Sequence, residues 1–223
     1  MSTTNPKRAL FEQFAAVAKA AAHPLRLELL EQLAQGERNV EVLADRIRVS
    51  VASASQHLQQ LRRAGLVAAR RQGNFIFYRL GDDGVLDLMT SLRQIAERQS
   101  AEVERIVRSY FDDRDSLEAV SRADLIDRMK AGVVAVLDVR PADEFALGHL
   151  PGAVNIPLGE LERRLAEFDP AQEIVAYCRG PYCVLSYEAV ARLRARGYRV
   201  RRLEDGLPEW RAAGLPVELG ATT

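Results

Sequence analysis

The residues best suited to covalent chemistry are the two cysteines, Cys178 and Cys183, which lie in one short segment. An apolar run at 174–176 predicts a buried strand before this segment, and apolar residues at helical spacing predict a helix after it. Backbone N–H groups and the helix dipole at such a junction favour an anion. The pattern therefore predicts that Cys178 is a thiolate nucleophile, helped by the neighbouring charge of Arg179. Two ordinary buried cysteines would also fit this spacing.

The sequence on both sides of the loop resembles the rhodanese family. The matching motifs are Leu137-Asp138-Val139-Arg140, Glu144-Phe145, Gly148-His149-Leu150-Pro151-Gly152-Ala153, Asn155-Ile156-Pro157 and Leu203-Glu204-Asp205-Gly206-Leu207-Pro208-Glu209-Trp210. The resemblance covers about residues 117–219 and implies that Cys178 carries sulfane sulfur as a persulfide. Strand-like and helical patterns alternate over the same region, which predicts an α/β domain with a parallel sheet. The ligand site of such a sheet lies beyond the carboxyl ends of its strands, where Cys178 falls.

Two positions near this site leave alternatives open. Cys183 stands where the rhodanese loop commonly ends in arginine, and a second thiol there can trap a persulfide instead of passing it on. A direct disulfide needs Cα atoms within about 7 Å, and we expect the pair at or beyond that limit, so that inserted sulfur would ease a bridge. Arg140 is a candidate pocket residue, although a salt bridge with Asp138 or Glu144 would explain it at least as well.

The first half of the chain carries a concentrated positive charge inside a protein whose net charge is zero. Residues 38–79 contain eight arginines and two acidic residues. Such a run often marks only a solvated surface, but here it accompanies four predicted helices, the last two joined by a short turn. Ser50 is a suitable amino-terminal cap for the fourth helix, which we expect to end at Ala64. This arrangement is typical of a helix-turn-helix.

The fourth helix has an apolar stripe that leaves short polar and basic side chains on its other faces. Such side chains suit base edges and phosphates. Two strand-like runs around Gly73 predict a β-hairpin wing whose arginines lie near its tip. The candidate DNA-binding residues are Ser53, Ser55, Gln56, His57, Gln59, Arg62, Arg63, Arg70, Arg71 and Asn74.

Residues 21–67 and the wing resemble the ArsR family of winged-helix repressors. The resemblance implies a homodimer that binds double-stranded operator DNA and leaves it when an inducer binds. The third helix has no cysteine and the apolar stretch at 85–110, read as one long dimerisation helix, has no histidine. We therefore expect no metal site, no metal inducer and no cofactor, and we interpret His57 as a packing or phosphate-contacting residue.

The sequence thus predicts two domains, a mainly α winged helix-turn-helix (residues 1–111) and an α/β rhodanese-like domain (residues 117–223), with a linker at 112–116. No apolar run approaches the roughly 18 residues that span a bilayer, so we expect a cytoplasmic protein without a membrane partner. The predicted function is a repressor that senses sulfane sulfur or polysulfide. A sulfurtransferase with an accessory winged helix and a thiol-disulfide oxidant sensor remain alternatives, and weak sulfur transfer through Cys178 stays open.

Overall fold

The computed structural model describes residues 5–112, 119–169 and 171–220. The chain forms two compact units, Met1–Ser91 and Leu92–Thr223. The predicted linker at 112–116 and the predicted start of the second domain at 117 fall largely outside the described residues. The second unit begins earlier than that linker, within the stretch predicted to dimerise. The predicted boundaries therefore stay predictions.

The first unit is a helical domain with a small antiparallel sheet. Its elements are α1 (Pro6–Ala21), α2 (Pro24–Ala34), β1 (Arg38–Asn39), α3 (Val40–Arg46), α4 (Val51–Arg63), β2 (Val67–Gln72), β3 (Phe75–Leu80) and the first turns of α5 (Gly84–Gln99). Leucines from α2, α3 and α4 form the core. The side chain of Ser50 caps α4 by accepting a hydrogen bond from the Ser53 N–H at 3.2 Å. The predicted winged helix-turn-helix fold is confirmed.

The wing is the hairpin of β2 and β3, in which Val67 pairs with Leu80 and Gln72 with Phe75. Gly73 occupies the turn with a φ of 60°, a conformation that glycine adopts without steric cost. Strand β1 pairs antiparallel with β3 and makes a three-stranded sheet. This third strand was not predicted, because two residues are too few to show an alternating pattern.

The expected continuous helix over 85–110 is wrong. Helix α5 ends at Gln99, and Ser100 is the amino-terminal cap of a new helix, α6 (Ala101–Ile106), with its side chain accepting from the Val103 N–H at 3.3 Å. A π-helix, Val107–Asp112, follows. Serine in this position offers the backbone a partner other than the helical carbonyl, which favours a break.

The second unit is built on a four-stranded sheet of parallel strands in the order β5-β4-β6-β7. Its elements after residue 119 are α7 (Arg122–Lys130), β4 (Val134–Asp138), α8 (Ala142–Ala146), β5 (Val154–Asn155), α9 (Leu161–Arg164), β6 (Glu173–Tyr177), α10 (Val184–Ala195), β7 (Val200–Arg202) and α11 (Leu207–Ala212). Alternate residues of β6 enter two different apolar clusters, one containing Ile174 and Ala176, the other Val175 and Tyr177. Both faces of the sheet are therefore covered, and the predicted α/β fold is confirmed.

One expected helix of this unit is much shorter than the pattern indicated. The spacing of Leu158, Leu161 and Leu165 predicts one helix with all three on the same face, whereas α9 covers only Leu161–Arg164 and a 3-10 turn follows at Leu165–Glu167. Leu161 is nevertheless buried in the core, and the other two leucines pack against it. Across the described part of the chain, none of the helices is long and apolar enough to cross a membrane.

Candidate functional site

The cysteine loop, residues 178–183, joins strand β6 to helix α10 as predicted. Cys178 directly follows the strand, and Cys183 is the residue before α10. The two are joined by a disulfide with a Cα separation of 6.1 Å. The expectation of a pair at or beyond about 7 Å is therefore corrected, because the Cα separation lies within the range of a direct disulfide. Cys178 is 1% exposed and Cys183 8%, so Cys183 is the more accessible of the two in this bridged state.

Backbone contacts fix both ends of the cysteine loop. The Cys178 carbonyl accepts a hydrogen bond from the Leu207 N–H at 3.2 Å, and the Cys183 carbonyl accepts from the N–H and hydroxyl of Ser186. Gly206 packs directly on the loop, since a Cβ there would lie 2.4 Å from the Gly180 nitrogen. Only glycine allows this approach. The loop is thus held by the strand, by α10 and by the turn that begins α11.

Arg179 does not present a free charge to the cysteines. Its guanidinium forms a two-pronged pair with Glu144 of α8, with Nη2 at 2.7 Å from Oε1 and Nε at 3.0 Å from Oε2. Glu144 is fully buried. The pair ties the cysteine loop to α8, and the proposed help of Arg179 to a Cys178 thiolate stays a prediction that must act in competition with Glu144.

Arg140 forms the salt bridge that the sequence left open as its alternative role. Its Nη2 lies 2.5 Å from Oδ2 of Asp138, and both side chains are inaccessible to solvent. Arg140 also donates to the Gly148 carbonyl at 2.8 Å, and the Tyr177 hydroxyl donates to Asp138 at 2.5 Å. This network joins the ends of β4 and β6, and its member Tyr177 directly precedes Cys178 in the chain. A direct contact of Arg140 with sulfur stays a prediction.

The charges of this network shift the acid–base behaviour of its members. Burial tends to lower the pKa of Arg140, but its hydrogen bonds and attraction to Asp138 raise that pKa overall. Burial, together with the charge of Asp138, raises the pKa of Tyr177 well above its ordinary value. Tyr177 therefore stays a neutral hydrogen-bond donor, and Arg140 stays charged.

Helix α4 presents a polar surface opposite its buried Ala54, Leu58 and Leu61. Most of the predicted DNA contacts of this helix are exposed, and the remainder are half-buried: the exposed residues are Gln56, Gln59, Arg62 and Arg63, and the half-buried ones are Ser53, Ser55 and His57. Gln60 turns inward instead and accepts a hydrogen bond from the buried Arg26 at 2.6 Å. One face of α4 is thus available to a ligand.

His57 lies at the edge of this surface beside a second histidine. Its ring centroid is 4.5 Å from that of His23, whose Nδ1 caps α2 by accepting from the Leu25 N–H. Burial, followed by the charges of His23 and Arg26, lowers the pKa of His57. The imidazole is therefore neutral at pH 7, and its contact with phosphate stays a prediction.

The wing residues Arg70, Arg71 and Asn74 are exposed as expected. Arg70 is paired with Glu37 through two guanidinium nitrogens and lies over the Phe77 ring at 5.0 Å. Arg71 donates to the Gly73 carbonyl at 3.0 Å. A phosphate would therefore compete with Glu37 for Arg70, which the charge count alone did not indicate.

Sequence reasoning missed Tyr182, which belongs to the cysteine loop but was given no role. Its ring lies 5.2 Å from that of Phe111, and its hydroxyl hydrogen-bonds to Glu97 of α5. Burial and this hydrogen bond raise the pKa of Tyr182 to about 12. An aromatic residue between the two cysteines was the available signal, but its partners lie more than 70 positions earlier in the chain and have no local pattern.

Comparison with known proteins finds a matching family model in each of the two units. Residues 121–213 match the family model of the rhodanese-like domain, and residues 21–70 match that of a helix-turn-helix domain. The chain is also 45% identical over 215 residues to the HTH-type transcriptional regulator Rv0324 of Mycobacterium tuberculosis, a match that covers 96% of this chain and 94% of that protein. The chain belongs to this family of HTH-type transcriptional regulators.

Two shorter matches carry different names. A protein of Allochromatium vinosum named sulfurtransferase is 35% identical over 85 residues, covering 38% of this chain and 78% of that protein. The biofilm growth-associated repressor of Agrobacterium fabrum is 41% identical over 83 residues, covering 37% and 71%. This regulator therefore combines an ArsR-like winged helix with a rhodanese-like domain, as predicted, and it is a DNA-binding transcriptional regulator.

A metal ion needs a particular arrangement of ligand side chains. Among residues 5–112, 119–169 and 171–220, no cluster of three or more histidine, cysteine or acidic side chains has the arrangement of a metal site. The sulfur of both cysteines is engaged in the disulfide. The expectation of a metal-independent inducer stays a prediction, which a titration with zinc can test.

Proposed function

We propose that this regulator is a homodimeric cytoplasmic repressor that leaves its operator when sulfane sulfur or polysulfide bridges Cys178 and Cys183. The observation that carries the proposal is the position of the pair. Both cysteines lie in the loop beyond the carboxyl end of β6, and their Cα atoms are 6.1 Å apart. A transcriptional regulator with a reactive pair at this edge of a parallel sheet has both a DNA-binding part and a chemical sensor.

The first step is sulfur transfer to Cys178. Its thiolate attacks a sulfane sulfur of an inorganic polysulfide, and a shorter polysulfide leaves with the electron pair of the broken S–S bond. Cys178 then carries a persulfide. The first backbone N–H groups of α10 have no partner within the helix, and they and the helix dipole favour an anion in the loop.

The second step closes the bridge. The Cys183 thiolate attacks Sγ of Cys178, a disulfide forms, and hydrosulfide leaves with the terminal sulfur. The cysteine pair loses two electrons and the sulfane sulfur gains them. If Cys178 first accepts a second sulfane sulfur, attack at the middle atom expels hydrosulfide and leaves a trisulfide. The Cα separation of 6.1 Å supports the direct disulfide as the simpler product.

At the DNA end, the exposed face of α4 and the wing arginines provide the operator contacts. Gln56 and Gln59 suit adenine edges, while Arg62 and Arg63 suit guanine or phosphate. The second copy of a homodimer would bind the other half-site of the operator. Large apolar side chains exposed on α1 and α5 support such a dimer: Leu10, Phe11, Phe14, Leu92 and Ile95.

Two other functions have specific support. An oxidant sensor would use the same Cys178–Cys183 disulfide without any sulfur donor, and the short Cα separation favours it as much as it favours a sulfur sensor. A sulfurtransferase is supported by the rhodanese-like domain, but Cys183 lies where it can intercept the persulfide. We place the sulfur sensor first because persulfide chemistry is what the rhodanese-like domain implies.

Intact-protein mass spectrometry and operator titration test the proposal together. The reduced protein is treated with either polysulfide or peroxide, and mass and affinity are measured on the same sample. With polysulfide the wild type should form the bridge and lose affinity for DNA. Cys178→Ser should show neither change, whereas Cys183→Ser should accumulate a persulfide and respond weakly.

Three outcomes separate the functions. Release of Cys178→Ser from DNA by polysulfide would contradict the proposal, as would release of the wild type without added sulfur or a bridge. A response to peroxide at concentrations where polysulfide has no effect would favour the oxidant sensor. Repeated sulfur transfer to cyanide by the wild type, with no change in DNA affinity, would favour the sulfurtransferase.

A further inference from the structure

The second compact unit includes the last turns of helix α5, from Leu92 to Gln99, and these turns contact the surroundings of the cysteine loop. Arg93 Nη1 lies 3.3 Å from Oε1 of Glu209, and Arg93 Nε lies 3.6 Å from Oε1 of Glu97. Oε2 of Glu209 accepts the Gly206 N–H at 3.1 Å, at the point where the chain packs on Gly180. These polar contacts therefore lead from α5 to Gly206, which packs on the backbone of the cysteine loop.

A second path runs through aromatic rings. Phe111, at the end of the π-helix, is 8% exposed. Its ring contacts two tyrosine rings of the same compact unit, with centroid distances of 5.2 Å to Tyr182 and 4.7 Å to Tyr187. Arg202 lies over the Tyr187 ring at 4.3 Å and donates to the Pro181 carbonyl at 3.3 Å. Phe111 thus contacts Tyr182 of the cysteine loop directly, and it is linked to Pro181 of that loop through Tyr187 and Arg202.

We infer that Tyr182 is a positioning residue that couples the state of the cysteine pair to helix α5. Tyr182 directly precedes Cys183 in the chain. Its ring contacts Phe111, and its hydroxyl hydrogen-bonds to Glu97. When Cys183 is bridged to Cys178, the loop is closed at both ends and Tyr182 is held against α5. When the bridge is opened, the backbone of residues 179–182 gains freedom and this contact loosens.

Helix α5 is one hydrogen-bonded helix from Gly84 to Gln99, and its first turns belong to the first compact unit. A change at Glu97 can therefore reach that unit along a single element. Coupling of this kind is reciprocal, so whatever stabilises the Tyr182 contact also favours the bridged pair. The inference deepens the proposed function and rests on it only for its effect on DNA.

Hydrogen exchange tests the coupling without DNA. The full-length protein is reduced with dithiothreitol or bridged with diamide, which takes two electrons and two protons from the dithiol. Peptides covering residues 92–99 should exchange several-fold more slowly in the bridged wild type. Tyr182→Phe keeps the ring but loses the hydroxyl, and it should remove most of this difference. Tyr198→Phe is the matched control, because its hydroxyl donates to the Leu165 carbonyl away from α5.

Glu97→Gln is the second variant, since it retains a polar partner for Tyr182 but loses the charge that faces both Tyr182 and Arg93. It should also reduce the exchange difference, whereas Tyr198→Phe should match the wild type. In operator titrations, Tyr182→Phe should lower the ratio of the bridged and reduced dissociation constants by about fivefold to tenfold.

The results distinguish the coupling from the proposed function. Equal exchange of residues 92–99 in the bridged and reduced wild type would overturn the coupling, whatever happens on DNA. An unchanged exchange difference in both Tyr182→Phe and Glu97→Gln would overturn it as well. A difference that Tyr182→Phe removes, together with equal operator affinity of the bridged and reduced wild type, would support the coupling and contradict the proposed function.

Discussion

Replacing Asp138 with asparagine tests whether the buried network that joins the ends of β4 and β6 holds the rhodanese-like domain together. Asp138 accepts from the Arg140 backbone N–H, from its guanidinium and from the Tyr177 hydroxyl, and it is inaccessible to solvent. In Asp138→Asn an amide N–H must face either Arg140 or Tyr177, both of which are donors. Removing one partner of a fully buried ion pair costs about 3 to 5 kcal/mol, because the other charge stays buried.

The single tryptophan, Trp210, makes the assay specific for this domain, since it is 2% exposed and packs in the core around Val175 and Tyr177. At an m-value of about 2 kcal/mol/M, the loss corresponds to a fall of roughly 1.5 to 2.5 M in the urea midpoint of its fluorescence. Glu173→Gln is the matched control, because its salt bridge with Arg128 is partly exposed and should contribute no more than about 1 kcal/mol. An Asp138→Asn midpoint no lower than that of Glu173→Gln would refute the reasoning.

Three further predictions concern the two domains. Arg63→Ala should reduce the slope of the logarithm of operator affinity against the logarithm of salt concentration by about one unit, the effect of one lost phosphate contact. Gln56→Ala should relax base specificity by about 1 to 3 kcal/mol. Fluorescence titration at several salt concentrations measures both. Gly206→Ala should destabilise the rhodanese-like domain by about 1 to 3 kcal/mol in urea denaturation, because its Cβ would collide with the loop backbone at Gly180. Since the pKa of His57 is lowered, the folded first domain binds fewer protons than the unfolded chain, so its stability should fall as pH drops through about 6.5. Hydrogen exchange of α4 should detect this fall, and His57→Gln should abolish it.

The parts of the structure that local chemistry dictates were predictable. Ser50 begins α4 because its hydroxyl can accept a hydrogen bond from the backbone of Ser53, and the apolar stripe of that helix fixes its buried face. The position of Cys178 followed in the same way, from an apolar strand that ends one residue earlier. Such features depend on a few neighbouring residues, which the sequence displays directly.

Features that depend on distant partners were not predictable from the pattern. The apolar spacing over 85–110 continues through Ser100, but the serine caps a new helix and ends α5. The position of Arg179 depends on Glu144, which is 35 residues away in the chain. The contact of Tyr182 with Phe111 likewise joins residues that lie far apart in the chain. Periodicity describes which face of an element is buried, but it does not identify what covers that face.

The proposed function requires the sulfur of Cys183 to change partner, and the position of Cys183 before α10 is compatible with this without loss of the helix. As the residue before the helix, it makes no hydrogen bond through its side chain, whereas its carbonyl accepts both the N–H and the hydroxyl of Ser186. Opening the bridge therefore leaves these anchors of α10 intact. In the proposed switch, the freedom gained falls between Arg179, which Glu144 holds, and Cys183, because Cys178 is held by β6 and by Leu207. In the proposed switch, a thiol at this position confines the response to the short segment that carries Tyr182, whereas arginine there could bind an anion but could not close the loop.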